Sequence, residues 1–134
     1  LYQNALRDLN GGNNELAMKG FQEYLRLYPD TDLVGNAQFY IGVVLYRQGK
    51  LREAINAYDL VLERYSPGNK TAAAHLQKGI ALLELKDREA GTRELRLLLN
   101  RFPNTDEAKL ARERLTSLGA QVPAGRSGAR PRRR

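Results

Sequence analysis

Asn36–Pro67, NAQFYIGVVLYRQGKLREAINAYDLVLERYSP, decides the fold. It reads as two antiparallel helices, A and B, closed by a tight turn at Gly49-Lys50. Shifted by 37 residues in either direction, its pattern reappears. Ala17, Ala54 and Gly91 are equally spaced small residues. Phe21, Tyr58 and Leu95 follow each by four, and Tyr24, Val61 and Leu98 by seven. Tyr28, Tyr65 and Phe102 come next, and Pro29, Pro67 and Pro103 close each unit. In the first half, Gly42 pairs with Gly79, and Tyr2, Phe39 and Leu76 are in register. A fixed period with this many matched positions means stacked repeats, because a bundle wound around one core has no reason to repeat in register.

Each slot has a physical reason. A small residue at Ala17, Ala54 or Gly91 lets helix B approach its partner closely, and Gly42 and Gly79 serve helix A in the same way. The aromatics Phe21, Tyr58, Tyr28, Tyr65 and Phe102 are expected to fill the space between hairpins. Each closing proline lacks an N–H and disfavours helix before it, so it stops helix B. Small, small, aromatic, proline at these spacings resembles the tetratricopeptide (TPR) signature. The implied fold is all-α: an α-solenoid of three TPR hairpins plus a C-terminal capping helix. A TPR repeats at about 34 residues. Since Gly42 to Ser66 and Gly79 to Pro103 each span 24 residues, the three extra ones are placed after the proline.

In chain order, the repeats cover about 1–32, 33–69 and 70–104, the capping helix 105–118, and the TPR domain 1–119 as a whole. Leu1–Leu9 is helix A of the first repeat. Leu16, Ala17, Phe21, Tyr24, Leu25 and Tyr28 make the apolar face of its helix B. Asp30-Thr31-Asp32 offers capping oxygens to the next helix. Lys86 stands where Gly12 and Gly49 stood, with Asp87 as the expected N-cap. In Ala108–Leu118, Lys109, Arg112, Glu113 and Arg114 suggest a polar face that solvates the solenoid end. Residues 120–134, AQVPAGRSGARPRRR, have almost no apolar bulk and are expected to be a disordered arginine-rich tail.

At 134 residues the chain fits one domain, and 42% hydrophobic with 28% charged residues is ordinary for a helical protein. The absence of cysteine excludes disulfides and thiolate metal sites. The chain begins at Leu1 inside an apparent helix, without an initiator methionine, and is expected to be a fragment or mature piece. Of the net charge of +7, the tail contributes +5 through Arg126, Arg130, Arg132, Arg133 and Arg134. The repeats retain 17 basic and 15 acidic residues, so no broad nucleic-acid face is implied. The tail reads as a solvated extension, or as a ligand for an anionic partner.

Motifs shared with known envelope proteins narrow the field. They are Tyr28-Pro29-Asp30-Thr31, Phe102-Pro103-Asn104-Thr105, Asn36-Ala37-Gln38-Phe39-Tyr40-Ile41-Gly42, and Thr105 to Ala111 leading to Arg114-Leu115. Together with the period, they resemble the C-terminal TPR domain of the CpoB/YbgF family, the Tol-Pal associated cell division coordinators. The resemblance implies a Gram-negative periplasmic scaffold with an upstream trimerising coiled coil. Its implied partners are TolA and the septal peptidoglycan synthesis machinery. Two features depart from it: the arginine tail, and Tyr40-Ile41 where many members have Trp-Leu. TPR lipoproteins of outer-membrane protein assembly (the BamD family) share the Tyr-Pro-Asp flavour and give the alternative reading.

Nothing points to catalysis, a cofactor or a metal. His75 is the sole histidine, so no histidine pair or His-Asp-Ser relay can be built, and it reads as a packing or solvated residue. Gly11-Gly12 lacks the Lys-Ser/Thr of a phosphate loop. Function is therefore expected on the concave face lined by the A helices. The groove positions are Asn36, Phe39, Val43, Tyr46 and Arg47, then Leu76, Ile80, Leu83 and Glu84, with Tyr2, Leu6 and Leu9 in the first repeat. This is an apolar strip with a polar rim, suited to a partner helix or extended peptide. Phe39 and Val43 occupy slots where carboxylate-gripping TPRs carry Lys and Asn.

Overall fold

The computed structural model describes residues 1–119; the arginine-rich segment 120–134 lies outside them. Among the described residues there are seven α-helices and no strand: α1 Tyr2–Asn10, α2 Asn14–Leu27, α3 Val34–Arg47, α4 Leu51–Arg64, α5 Thr71–Glu84, α6 Arg88–Arg101 and α7 Asp106–Ser117. Helices α3 to α6 are each 14 residues long. The links 28–33 and 65–70 that follow helix B are longer than the turns inside the hairpins. The extra residues of the period therefore lie after helix B.

One device closes all three hairpins. The amides of Asn13, Lys50 and Asp87 donate to the carbonyls of Asp8, Leu45 and Leu82, at 2.8, 2.9 and 3.0 Å. This satisfies carbonyls that the end of helix A leaves free. The geometry requires positive φ at the residue before, found at Gly12 (83°), Gly49 (77°) and Lys86 (70°). A side chain in this left-handed region costs roughly 1–2 kcal/mol, which glycine avoids. Lys86→Gly is therefore expected to stabilise the protein by about 0.5–1 kcal/mol after glycine's own entropic cost. The denaturant midpoint should rise with an unchanged m-value; an unchanged or lower midpoint would refute this. Asp87 caps α6 as expected, accepting from the Ala90 amide at 3.2 Å.

The Asp30-Thr31-Asp32 expectation fails. Helix α3 starts after Leu33 with no side-chain cap. Thr31 is instead used backwards: its hydroxyl donates to the Tyr28 carbonyl (3.2 Å) and accepts from Tyr24 (2.6 Å), pinning the end of α2. The matching Thr105 does cap, accepting from Ala108 N at 3.0 Å, with Asp106 and Glu107 in the first turn of α7.

Each helix packs on the next, and α7 packs on both α5 and α6. The core is correspondingly a row of clusters. The first gathers Tyr2, Phe21, Tyr24, Ile41 and Val44, the second Phe39, Tyr58, Val61 and Ala74, the third Leu76, Leu95, Leu98, Ala111 and Leu115. Ala17, Ala54 and Gly91 are buried where helices cross. The close approach is literal at Gly42, where an added Cβ would lie 2.4 Å from Tyr58 Cε1. The first repeat reaches it differently, with Ala5 on α1 and Gly20 on α2, where a Cβ would lie 2.7 Å from that of Ala5.

Two expected interior residues are outside. Leu16 is 56% exposed, because it sits about 100° around the helix from Ala17. Tyr28 is 47% exposed beyond the end of α2, its ring against Tyr24 at 5.2 Å.

Candidate functional site

The expected groove residues divide into three groups. Phe39 and Leu76 are 6% and 3% exposed and belong to the core, so they support the surface from beneath. Phe39 packs on Tyr58 at 5.6 Å, and the Lys70 amine lies 5.3 Å from its ring centroid. Val43 and Leu83 are half-buried against core clusters. Leu83 turns into its own hairpin, where it fills the space that a Gly91 side chain would need. Leu6 and Leu9 likewise belong to the first cluster, and half-buried Asn36 lowers the pKa of the Tyr2 phenol against the larger upward effect of burial.

A second group fastens one repeat to the next. Arg47 Nη1 donates to the Leu9 carbonyl at 2.8 Å, so an exposed cation closes the C-terminal end of α1, where the helix dipole favours it. The Tyr46 hydroxyl donates to Glu84 Oε2 across α3 and α5. Partial burial, and then this carboxylate, push the Tyr46 phenol up to about 12, so it stays a donor at ordinary pH.

The third group borders open space. Leu76 and half-buried Ile80 of α5, with Gln77, face Leu110, Glu113, Arg114 and Ser117 of α7 across a cleft of about 390 Å³. Leu110 is 52% exposed there. The Arg114 charge also reaches Tyr46, whose pKa it lowers against the larger upward effects. An apolar floor thus meets a margin of Gln77, Glu113, Arg114 and Ser117. Among the described residues no group of three metal-ligating side chains comes together.

A tetratricopeptide repeat family matches residues 2–70 and again 41–104. The chain belongs to the tetratricopeptide repeat family. No curated protein matches it closely enough to carry a finer assignment. As a TPR domain it is a module for protein–protein interaction. In TPR terms α1, α3 and α5 are the A helices and α2, α4 and α6 the B helices.

The α7 side of the cleft is what the sequence reasoning missed. Read as a solvating cap, α7 was expected to show only polar residues outward. Its register tells otherwise: Leu110 lies 37 residues after Ala73 and 74 after Asn36, a groove position. Buried Ala108, Ala111 and Leu115 seat α7 as a further A helix, which carries Leu110 and Arg114 onto the same face.

His75 is neither solvated nor merely packed. At 7% exposure it bonds Glu94 Oε2 through Nδ1 at 2.5 Å. An ionised carboxylate can only accept, so Nδ1 carries the proton. The Lys78 amine lies 3.6 Å from Glu94 Oε1 and 2.7 Å from Asp59 Oδ1, so the cluster ties α4, α5 and α6 together. A signal was present: Glu94 occupies the slot held by Gly20 and Ala57, where a carboxylate has no packing reason. In the second repeat, Gln38 Nε2 fills the equivalent place by donating to the Ala57 carbonyl at 3.3 Å.

Proposed function

We propose that this TPR domain is a non-enzymatic scaffold that grips a helix or extended segment of a protein partner in the α5–α7 cleft. The observation that carries this reading is the exposed Leu110 opposite Leu76 and Ile80, beside a charged margin. An apolar anchor site with a polar rim is the arrangement in which a few buried side chains of a partner supply most of the binding energy.

On the motif resemblance, we further propose a periplasmic role in a Gram-negative envelope. The chain would contact TolA-like and peptidoglycan-synthesis partners and couple outer-membrane constriction to septal wall synthesis. Tyr28 to Thr31, Phe102 to Thr105 and the 37-residue period support this finer reading. No described helix is long and apolar enough to cross a membrane.

The test is a titration with the periplasmic part of TolA from the organism that encodes the chain. Leu110→Asp and Arg114→Ala should each weaken binding by about tenfold or more, as expected for anchor and rim positions. Arg47 is a poor probe, since its loss would also loosen α1 from α3. Binding that survives both changes would remove the site from the cleft. No binding of the native chain would turn the assignment toward outer-membrane protein assembly.

A further inference from the structure

The charge of this chain is unevenly placed. Residues 1–85 carry nine basic and nine acidic side chains, whereas 86–134 carry thirteen and six. Within the described part, the excess gathers on the outer face of α6. Arg88, Arg93, Arg96 and Arg101 are all exposed and border one open surface, with Thr92, Leu97 and Asn100 between them. Glu89 is the sole carboxylate among its lining residues. The near-neutral total of the repeats conceals this face.

Packing does not demand it. The four matching positions are Asn14, Lys19, Gln22 and Leu27 on α2, and Leu51, Asn56, Asp59 and Arg64 on α4. A structural need of the repeat would recur in each B helix, but four arginines occur only in the third. Gly91, Leu95, Leu98 and Leu99 already bury the opposite side of α6. Arg88 gives one N–H to the Leu118 carbonyl at 2.7 Å, which fixes its stem and leaves the rest of its fork as donors.

We infer that the outer face of α6 is a second docking surface, for an acidic segment of a protein partner. Guanidinium forks match carboxylates in a bidentate way. From Arg88 to Arg101 the face runs about 20 Å, the length of roughly six extended residues. Half-buried Leu97 offers an apolar contact amid the charges, and Asn100 and Thr92 offer hydrogen bonds to a peptide backbone. A phosphate backbone would make no use of Leu97, and the face has no aromatic on which bases could stack. The surface is separate from the α5–α7 cleft, so it stands whether or not that cleft binds TolA.

The test uses the full chain and a short labelled peptide of glutamates with interspersed leucines. Native protein should bind it, and Arg93→Gln/Arg96→Gln/Arg101→Gln should weaken binding about tenfold or more, as for hot-spot residues. Two controls of the same kind separate site from net charge. Arg26→Gln/Arg52→Gln/Arg64→Gln removes as many charges from α2 and α4. Glutamine at the five tail arginines removes the tail's charge. Each should keep affinity within about threefold, as for screened charges outside the docking surface. Circular dichroism should show all variants folded, the changed residues of α2, α4 and α6 being exposed. Equal weakening by a control set, no binding of the native chain, or tighter binding of a single-stranded oligonucleotide of equal charge would overturn the proposal.

Discussion

Gly42→Ala is expected to destabilise the protein by about 2 kcal/mol, although alanine is the better helix former. The helix propensity gain is about 1 kcal/mol. Against it stands overpacking, commonly about 1–3 kcal/mol and sometimes more. The upper part of that range applies here, because the new methyl would lie 2.4, 2.7 and 3.0 Å from Cε1, Cδ1 and Cζ of Tyr58. That ring is fully buried between Phe39, Val61 and Ala74 and cannot turn aside. Relief must come from moving α3 off α4, which would also strain the Tyr46–Glu84 bond to the next repeat. Gly79→Ala is the internal comparison. Its nearest neighbours are Leu95 Cδ2 and Cγ at 2.6 and 2.9 Å, part of an aliphatic chain that is fully buried too but, unlike a rigid ring, can give way by rotating about its own bonds. The loss there should be clearly smaller. Thermal and denaturant unfolding of both variants checks the order, and an equal or reversed ranking would defeat the explanation.

Removing the Glu94 carboxylate should cost about 2 kcal/mol in Glu94→Ala, the scale of hydrogen bonds to a charged group. His75 would lose its partner inside the core, while Lys78 would keep Asp59. The pH dependence gives a sharper signature. Burial pushes the Glu94 carboxyl up, but the His75 hydrogen bond and the Lys78 and His75 charges outweigh it and hold the group below its ordinary 4.5. A carboxylate whose pKa is lower folded than unfolded stabilises the fold above the unfolded value, and this contribution disappears as pH falls through the folded one. Lys78 has the opposite sense. Burial lowers it, yet the Asp59 hydrogen bond and the Glu94 and Asp59 charges leave it above 10.5. Its contribution is complete below that value and is lost as pH rises through the folded pKa. Glu94→Gln should therefore flatten the acid limb of the stability curve below about pH 4.5 while retaining an acceptor for His75. Unfolding free energies of native and variant protein across that limb provide the check, and parallel acid limbs would show that the cluster plays no such part.

How much of this was legible depended on how local the determining physics is. Helix A of each repeat ends where a residue with positive φ is needed, and Gly12 and Gly49 announce that in the chain itself. Lys86 breaks the rule yet takes the same conformation, because Asp87 and the flanking helices enforce it. The groove was harder. Phe39 and Leu83 share the helical phase of true surface positions, and only the neighbouring helices bury the one and turn the other inward. Read as a solvating cap, α7 offers Arg114 only as part of a polar face and leaves Leu110 outside the groove. Its seat on α5 and α6 is what brings them to the cleft.

By itself, the sequence determined the period, the hairpin turns, the small-residue crossings and the all-α repeat fold. These follow from spacing along the chain, since each repeat meets only its neighbours. Tertiary structure alone decided which same-phase side chains are covered, that Glu94 reaches His75 and Lys78, and that no other helix covers the side of α6 bearing the four arginines. Those outcomes depend on distances between helices that are far apart in sequence, and one-dimensional spacing does not encode them.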